Sequence, residues 1–263
     1  MTDADRRPPT IAADTDAVRQ GANVAEPSSE RPTSDTRRVV IAIDGPAASG
    51  KSSTAHWVAE VLGYHHVDSG ALYRGATAAQ LRRGSPVEQW TEADLLEAAS
   101  RVQLRAVPGA FAPTLDGESI EAEIRGQDVT RHVSLVAQMP AVRAWVNEMV
   151  RRAARDHDVV VDGRDIGTTV FPEAALKVFL VADPWERARR RLIQRLQRAP
   201  SDEEIAEETD RLVHRDASDA TQTVQAKDAV LIDTTALTQA EQVDRIVALA
   251  RAVTHRGEGT SAS

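Results

Sequence analysis

Val39-Val40-Ile41-Ala42-Ile43-Asp44-Gly45-Pro46-Ala47-Ala48-Ser49-Gly50-Lys51-Ser52 joins an apolar run of strand character to a loop of small residues and then to an amphipathic segment. Gly45, Gly50, Lys51 and Ser52 fit the pattern G-x-x-x-x-G-K-[ST], the P-loop. Physical chemistry accounts for the spacing. Glycines let backbone N–H groups curl around a β-phosphate, Lys51 reaches the β and γ oxygens, and the Ser52 hydroxyl can ligate Mg²⁺. The helix that follows turns its positive end toward the phosphates. A plain glycine turn between strand and helix would need neither Lys51 nor Ser52. Gly45, Pro46, Ala47, Ala48, Ser49, Gly50, Lys51, Ser52 and Ser53 are therefore the candidate ATP-binding residues, with Ser52 the candidate metal ligand.

Outward from this stretch, apolar strands alternate with helical patterns. Ala55, Val58, Ala59 and Leu62 repeat at helical spacing, and Gly63 is a stop signal. Tyr64 to Val67 leads to Asp68-Ser69-Gly70-Ala71-Leu72-Tyr73-Arg74, and a helix runs to about Arg83. Thr91 to Asp94 has capping-box spacing. The period then changes to two: Val102, Leu104 and Ala106 alternate with polar residues, and Asp116-Gly117 predicts a hairpin between Ala112–Leu115 and Ser119–Ile124. Helices follow from about Val129 and from Pro140. Val159 to Val161 and Leu176 to Val181 read as buried strands, with Asp162-Gly163-Arg164-Asp165 after the first. Pro184 to about Arg198 is a basic helix, Ser201 to about His214 an acidic one, Ala229 to Ile232 a last strand, and Thr238 to Glu241 caps a final helix. The pattern predicts an α/β protein with a central parallel sheet flanked by helices and a small antiparallel insert. Ligands of such sheets sit beyond the strand C-termini, where Asp44, Asp68, Asp162 and Asp183 fall.

Composition sets limits. The 263 residues carry 41% hydrophobic and only 3% aromatic side chains, so aliphatic residues must build the core, with the four tryptophans expected as anchors within it. The net charge of −8 argues against a nucleic-acid-coating surface but allows a local basic cleft. Without cysteine there are no disulfides, which suits the cytoplasm. No apolar run approaches the ~18–20 residues of a membrane span. The seven histidines do not cluster at metal spacing. Residues 1–37, rich in proline and charge, read as a disordered tail, and 256–263 as a flexible C-terminal tail.

Three motifs together, Gly45 to Ser53, Asp68 to Arg74 and Asp162-Gly163-Arg164-Asp165-Ile166-Gly167-Thr168-Thr169-Val170-Phe171-Pro172, resemble the bacterial cytidylate kinases, P-loop nucleoside monophosphate kinases. The resemblance spans about 38–255. It implies transfer of the γ-phosphoryl of ATP to CMP or dCMP with Mg²⁺, a CMP-binding insert over about 101–137 and a helical lid over about 187–214. Phosphoryl transfer to a monophosphate needs no general base, since the attacking oxygen is already anionic; it needs neutralised charge and in-line positioning. Lys51 and Mg²⁺ would serve the donor. Arg74 and Arg164, following strand ends, can grip the acceptor phosphate bidentately. The resemblance gives those arginines the same task. It further implies that Ser69 and Asp165 face CMP, that Ser134 and Arg143 contact the nucleotide, and that Arg215 and Asp219 do so within the stretch 214–219.

The arginines at 187, 189, 190, 191, 195 and 198 read by default as a solvated face. The family segment implies instead that Arg187 and Arg191 close over ATP. The chain departs from the family at Gln222, where an arginine is usual, and the connection to the last strand is shorter; base discrimination is expected to be weaker for it. The expectation is a cytoplasmic monomer acting on ATP and CMP or dCMP, partnered by neither nucleic acid nor membrane. Two rivals stay open. One is a P-loop kinase of UMP or of a metabolite hydroxyl, which would want a catalytic base. The other is a nucleotide switch, although the Asn-Lys-x-Asp guanine reader is missing near Ala226-Lys227-Asp228.

Overall fold

The computed structural model describes residues 38–258; the tail expected over 1–37 lies outside the described residues. Strands β1 (Val40–Asp44), β2 (His65–Asp68), β6 (Val159–Gly163), β7 (Leu176–Val181) and β8 (Val230–Asp233) pair in parallel in the order β2-β6-β1-β7-β8. Period-two alternation divides their side chains between two cores. Ile41, Ile43, Val160, Val178 and Leu180 face helices α1 (Lys51–Leu62) and α8 (Gln239–Glu258). Ala42, Val67, Val159 and Val161 face α2 (Ser69–Leu81), α3 (Glu92–Ala99), α4 (Gln127–Ala137) and α5 (Pro140–Ala153). Leu180 is wholly buried, so its truncation to alanine would cost about 2–5 kcal/mol.

The antiparallel insert does not stand apart. Strands β3 (Val102–Val107) and β4 (Ala110–Leu115) form its hairpin, and β4 joins the main sheet through a parallel pairing of His66 with Ala110. The expected strand over 119–124 shrinks to β5 (Glu118–Ser119). Ile120 and Ile124 are both buried four residues apart, a helical spacing, and the Ile124 amide donates to the Ile120 carbonyl at 3.0 Å.

Helix α6 (Pro184–Leu196) starts on Asp183, whose carboxylate accepts from the amides of Trp185 and Glu186. Helix α7 (Asp202–Asp219) starts on the expected capping box but does not stop near His214. Residues 214–219 contain neither glycine nor proline, and Arg215 and Asp219 approach at i,i+4. Helix α8 likewise runs to Glu258, into the stretch read as a tail. The tryptophans divide: Trp90 is buried and Trp145 packs partly against the core, whereas Trp57 and Trp185 are 48% and 41% exposed. Aliphatic residues fill the rest of the interior.

Candidate active site

The C-terminal ends of β1, β2 and β6 converge, since Ile43 and Asp68 both sit opposite Asp162 in the strand register. The loop after β1 has a form that few residues could adopt. A Cβ on Gly45 would lie 2.3 Å from the Leu180 carbonyl oxygen, and Gly50, at φ 87°, caps α1. Lys51 arches back over the loop, its Nζ donating to the Pro46 carbonyl at 2.9 Å. Burial, with the charge of Arg164 adding to it, lowers the Lys51 pKa to about 7. Ala48, Lys51 and Ser52 reach the cleft, joined by Ala47 on one side and by Gly50 and Ser53 on the other; Gly45, Pro46 and Ser49 form the body of the loop and do not line it.

Carboxylates floor the cleft. Asp44 accepts from the amides of Ile166 and Gly167, both at 2.8 Å, yet burial lifts its pKa to about 6. Asp162 accepts from the Ser52 hydroxyl and lies 2.7 Å from His66 Nε2. Burial alone would raise Asp162; the His66 contact and the Ser52 bond outweigh it and hold the carboxyl below its ordinary value. Asp68 caps α2, and burial together with the charge of Asp162 beside it pushes its pKa up. His65 turns to the other face of β2, where its ring packs against His157 with centroids 4.3 Å apart and planes tilted by 46°. Among the described residues no group of three or more His, Cys, Asp or Glu side chains could hold a metal unaided. The Ser52 hydroxyl beside the Asp162 carboxylate is a hard-oxygen pair suited to Mg²⁺, an ion that takes one or two protein ligands and completes its shell with phosphate and water.

Opposite the loop stands a wall of arginines. Arg74, on α2, donates through Nη1 to the Ile124 carbonyl and the Thr130 hydroxyl. Arg164 and Arg215 approach one carboxylate oxygen of Asp219 at 3.5 and 3.8 Å, and neither Nε makes a hydrogen bond. Burial first, and Arg164 next, lower the Arg215 pKa to about 10. Arg143 is held three ways: to Asp165 at 2.5 Å, to the Gln222 side-chain carbonyl at 2.9 Å and to the Ala137 carbonyl at 3.2 Å. Ser69 donates to the Asp162 carbonyl at 2.7 Å, and Ser134 lines the same hollow from α4. That hollow, about 220 Å³, gathers seven cationic side chains against four carboxylates in a chain of net charge −8. A wider hollow of about 900 Å³ lies across the P-loop, between Arg189, Arg190 and Arg191 of α6 and the segment Thr235 to Gln242.

Of the residues singled out from sequence, Lys51, Ser52, Ser69, Arg74, Ser134, Arg143, Arg164, Asp165, Arg191, Arg215 and Asp219 all line the cleft. Arg187 does not. Its guanidinium is 4% exposed behind the P-loop, donating to the Ala47 carbonyl at 2.7 Å and pairing with Asp216 at 2.7 Å. Asp216 in turn accepts from the Ala47 amide. Arg187 on α6 and Asp216 on α7 thus brace the loop, and of the two expected lid arginines only Arg191 faces the cleft. Sequence reasoning passed over Asp68 and Asp162 as site residues, although both fall at strand ends, over Tyr73, although it sits beside Arg74 in a quoted motif, and over His66 and Arg125, for which no local signal exists.

The profile described as "Cytidylate kinase" matches residues 41–252. A cytidylate kinase of Limosilactobacillus fermentum is 42% identical over 214 residues, covering 79% of this chain and 93% of the relative. One from Anoxybacillus flavithermus is 41% identical over 229 residues, covering 85% and 99%. A bifunctional pantoate ligase/cytidylate kinase of Synechococcus is 43% identical over 227 residues, or 84% of this chain; the match spans 42% of that relative's length, against nearly all of the single-function relatives.

Proposed function

The chain belongs to the cytidylate kinase family, and from that premise we propose that it transfers the γ-phosphoryl group of ATP to CMP and to dCMP in line between the two hollows. The observation that carries this reading is the arginine wall facing Lys51: Arg74 and Arg164 stand where an acceptor phosphate needs neutralising. A hydroxyl acceptor would instead require a free base. The four carboxylates lining the hollow are engaged, Asp68 with the Ala71 amide, Asp162 with Ser52 and His66, Asp165 with Arg143, Asp219 with Arg164 and Arg215.

Lys51 and the loop amides hold the donor phosphates. An oxygen of the CMP phosphate attacks the γ-phosphorus, the bond to the β-phosphate oxygen breaks, and CDP and ADP leave. Ser52 and Asp162 would hold Mg²⁺, which would supply positive charge beside the donor phosphates. Arg191 approaches from the helical lid, over about 187–214, and the insert over about 101–137 closes the acceptor side. For the base, the Asp165 carboxylate suits the 4-amino donor of cytosine, and the Arg143 donors suit its N3 and O2 acceptors; uracil reverses the first two. The reading includes a cytoplasmic monomer that binds no nucleic acid; among the described residues no helix is long and apolar enough to cross a membrane.

The test is ADP release over a panel of nucleoside monophosphates. CMP and dCMP are expected to lead. A lead for UMP, or turnover only with a hydroxyl-bearing metabolite, would replace the acceptor. Nucleotide binding without turnover of any acceptor would favour a switch.

A further inference from the structure

Six residues line both hollows: Ala48, Lys51 and Ser52 of the P-loop, and Arg74, Arg125 and Arg191. In a transferase whose donor and acceptor occupy adjoining spaces, a side chain facing both spaces flanks the group in transit. Five of the six already have a place in the reaction described above; Arg125 has none. We infer that Arg125 is a further catalytic residue, one that leaves Glu121 and clamps the phosphoryl group as it passes from donor to acceptor. The inference rests on the kinase reading and extends it.

Three observations place it there. First, Arg125 closes the short 3-10 turn Glu123–Arg125, on the insert side of the cleft. Its neighbour's carbonyl, on Ile124, accepts from the Arg74 guanidinium at 3.2 Å, and Arg74 also reaches Thr130. The arginine that would hold the acceptor phosphate is therefore tied to the backbone that carries Arg125. Second, Arg125 lines the acceptor hollow together with Arg74, Asp68 and Asp162, on the wall nearest the P-loop hollow that it also borders. Third, its hydrogen-bonding partner is replaceable. Arg125 donates to Glu121 through Nε at 3.0 Å and through Nη2, and the two side chains are 60% and 47% exposed. A solvated pair of this kind is weak. A phosphoryl group carrying more charge, in a site partly closed to water, offers the same fork two acceptors and a stronger bond. Glu121 thus acts as a resting partner that the substrate displaces.

The test uses the full chain, the variants Arg125→Ala, Arg125→Lys and Glu121→Gln, and a dinucleoside pentaphosphate joining adenosine to cytidine, which spans both hollows. Arg125→Ala is expected to lower kcat and to weaken pentaphosphate binding at least about tenfold each, the scale of a lost charged hydrogen bond. Binding of ATP alone and of CMP alone should stay within about threefold. Arg125→Lys should recover part of the loss, a point charge without the fork. Glu121→Gln should tighten the pentaphosphate by about two- to fivefold, the scale of an exposed ion pair. An Arg125→Ala enzyme within twofold of wild type in both readouts would overturn the inference, as would a Glu121→Gln that weakens binding as much as Arg125→Ala does. Wild type that binds the pentaphosphate through Arg125 yet phosphorylates an acceptor other than CMP would replace the acceptor in the kinase reading and leave the clamp standing. Wild type that does not bind it at all would overturn both.

Discussion

The two sides of the cleft hold their charges by different means. On the P-loop side the groups all sit on one short stretch of chain, braced from behind by two residues distant in sequence. Lys51 bonds to Pro46 five residues away, the loop conformation follows from Gly45 and Gly50, and Arg187 with Asp216 clamps Ala47 from behind. On the arginine side the groups come from α2, the insert, the β6 end and α7, and they are held by shared carboxylates. Arg164 and Arg215 divide Asp219, and Arg143 leans on Asp165 and Gln222. The difference separates two kinds of binding. A backbone cradle is ready-made for a polyphosphate that every reaction cycle brings. Arginines in imperfect pairs, with the Nε groups of Arg164 and Arg215 unbonded, keep donors in hand for an acceptor that replaces carboxylate with phosphate.

The comparison is broken most severely at Lys51. Lys51→Ala is expected to lower kcat by about 10²–10³ or more, the range for removing one preorganised charge donor; a variant keeping over a tenth of wild-type kcat contradicts the cradle. Lys51→Met should do the same to activity and raise the melting temperature near pH 7, because it removes a buried cation. A lysine whose folded pKa is depressed to about 7 destabilises the fold fully below that value and progressively less as pH rises toward the ordinary 10.5. The advantage of Lys51→Met should therefore be largest below pH 7 and shrink between about pH 7 and 10.5. A gap constant with pH would mean that Lys51 is not charged at cost.

Arg187 comes next. Breaking a buried pair from one side costs about 3–5 kcal/mol, so Arg187→Ala should unfold at markedly lower denaturant. Arg191→Ala should lose less, about 1 kcal/mol, because the buried Glu208 it pairs with keeps Arg195 and Arg211 as partners. Equal losses in chemical denaturation, or an Arg187→Ala that keeps full stability and loses only kcat, would return Arg187 to the lid. The smallest effect is at Gln222. Gln222→Ala frees Arg143 of one acceptor, worth about 0.5–1.5 kcal/mol, and should raise the CMP KM several-fold and lower the CMP/UMP ratio of kcat/KM while the ATP KM holds. An unchanged ratio would mean position 222 does not steer the base-facing arginine.

How much of this was legible follows the same divide. The P-loop, the strand-end aspartates and the parallel sheet are written in contiguous residues with a fixed period. The period-two insert was legible too, up to Ile120 and Ile124, where spacing of four signals a helical turn. The arginine side and the brace behind the P-loop are composed across the fold: nothing near Arg187 in sequence says that it meets Ala47, and nothing near His66 or Arg125 says that Asp162 or the two hollows adjoin them. The motif resemblance named Arg143, Arg215 and Asp219; only the folded chain shows that α7 runs past His214 to bring the last two in, and that Gln222 bonds Arg143.

The division of the cleft is tested most directly by calorimetric titration of Arg164→Ala, separately with a non-hydrolysable ATP analogue and with CMP. Arg164 follows β6, outside the P-loop, and lines the acceptor hollow beside Asp219. CMP affinity is predicted to fall by about tenfold or more, the scale of a lost charge-assisted bond, with ATP-analogue affinity within about twofold of wild type. Weakened binding of the ATP analogue with CMP binding intact would assign Arg164 to the donor and contradict the account.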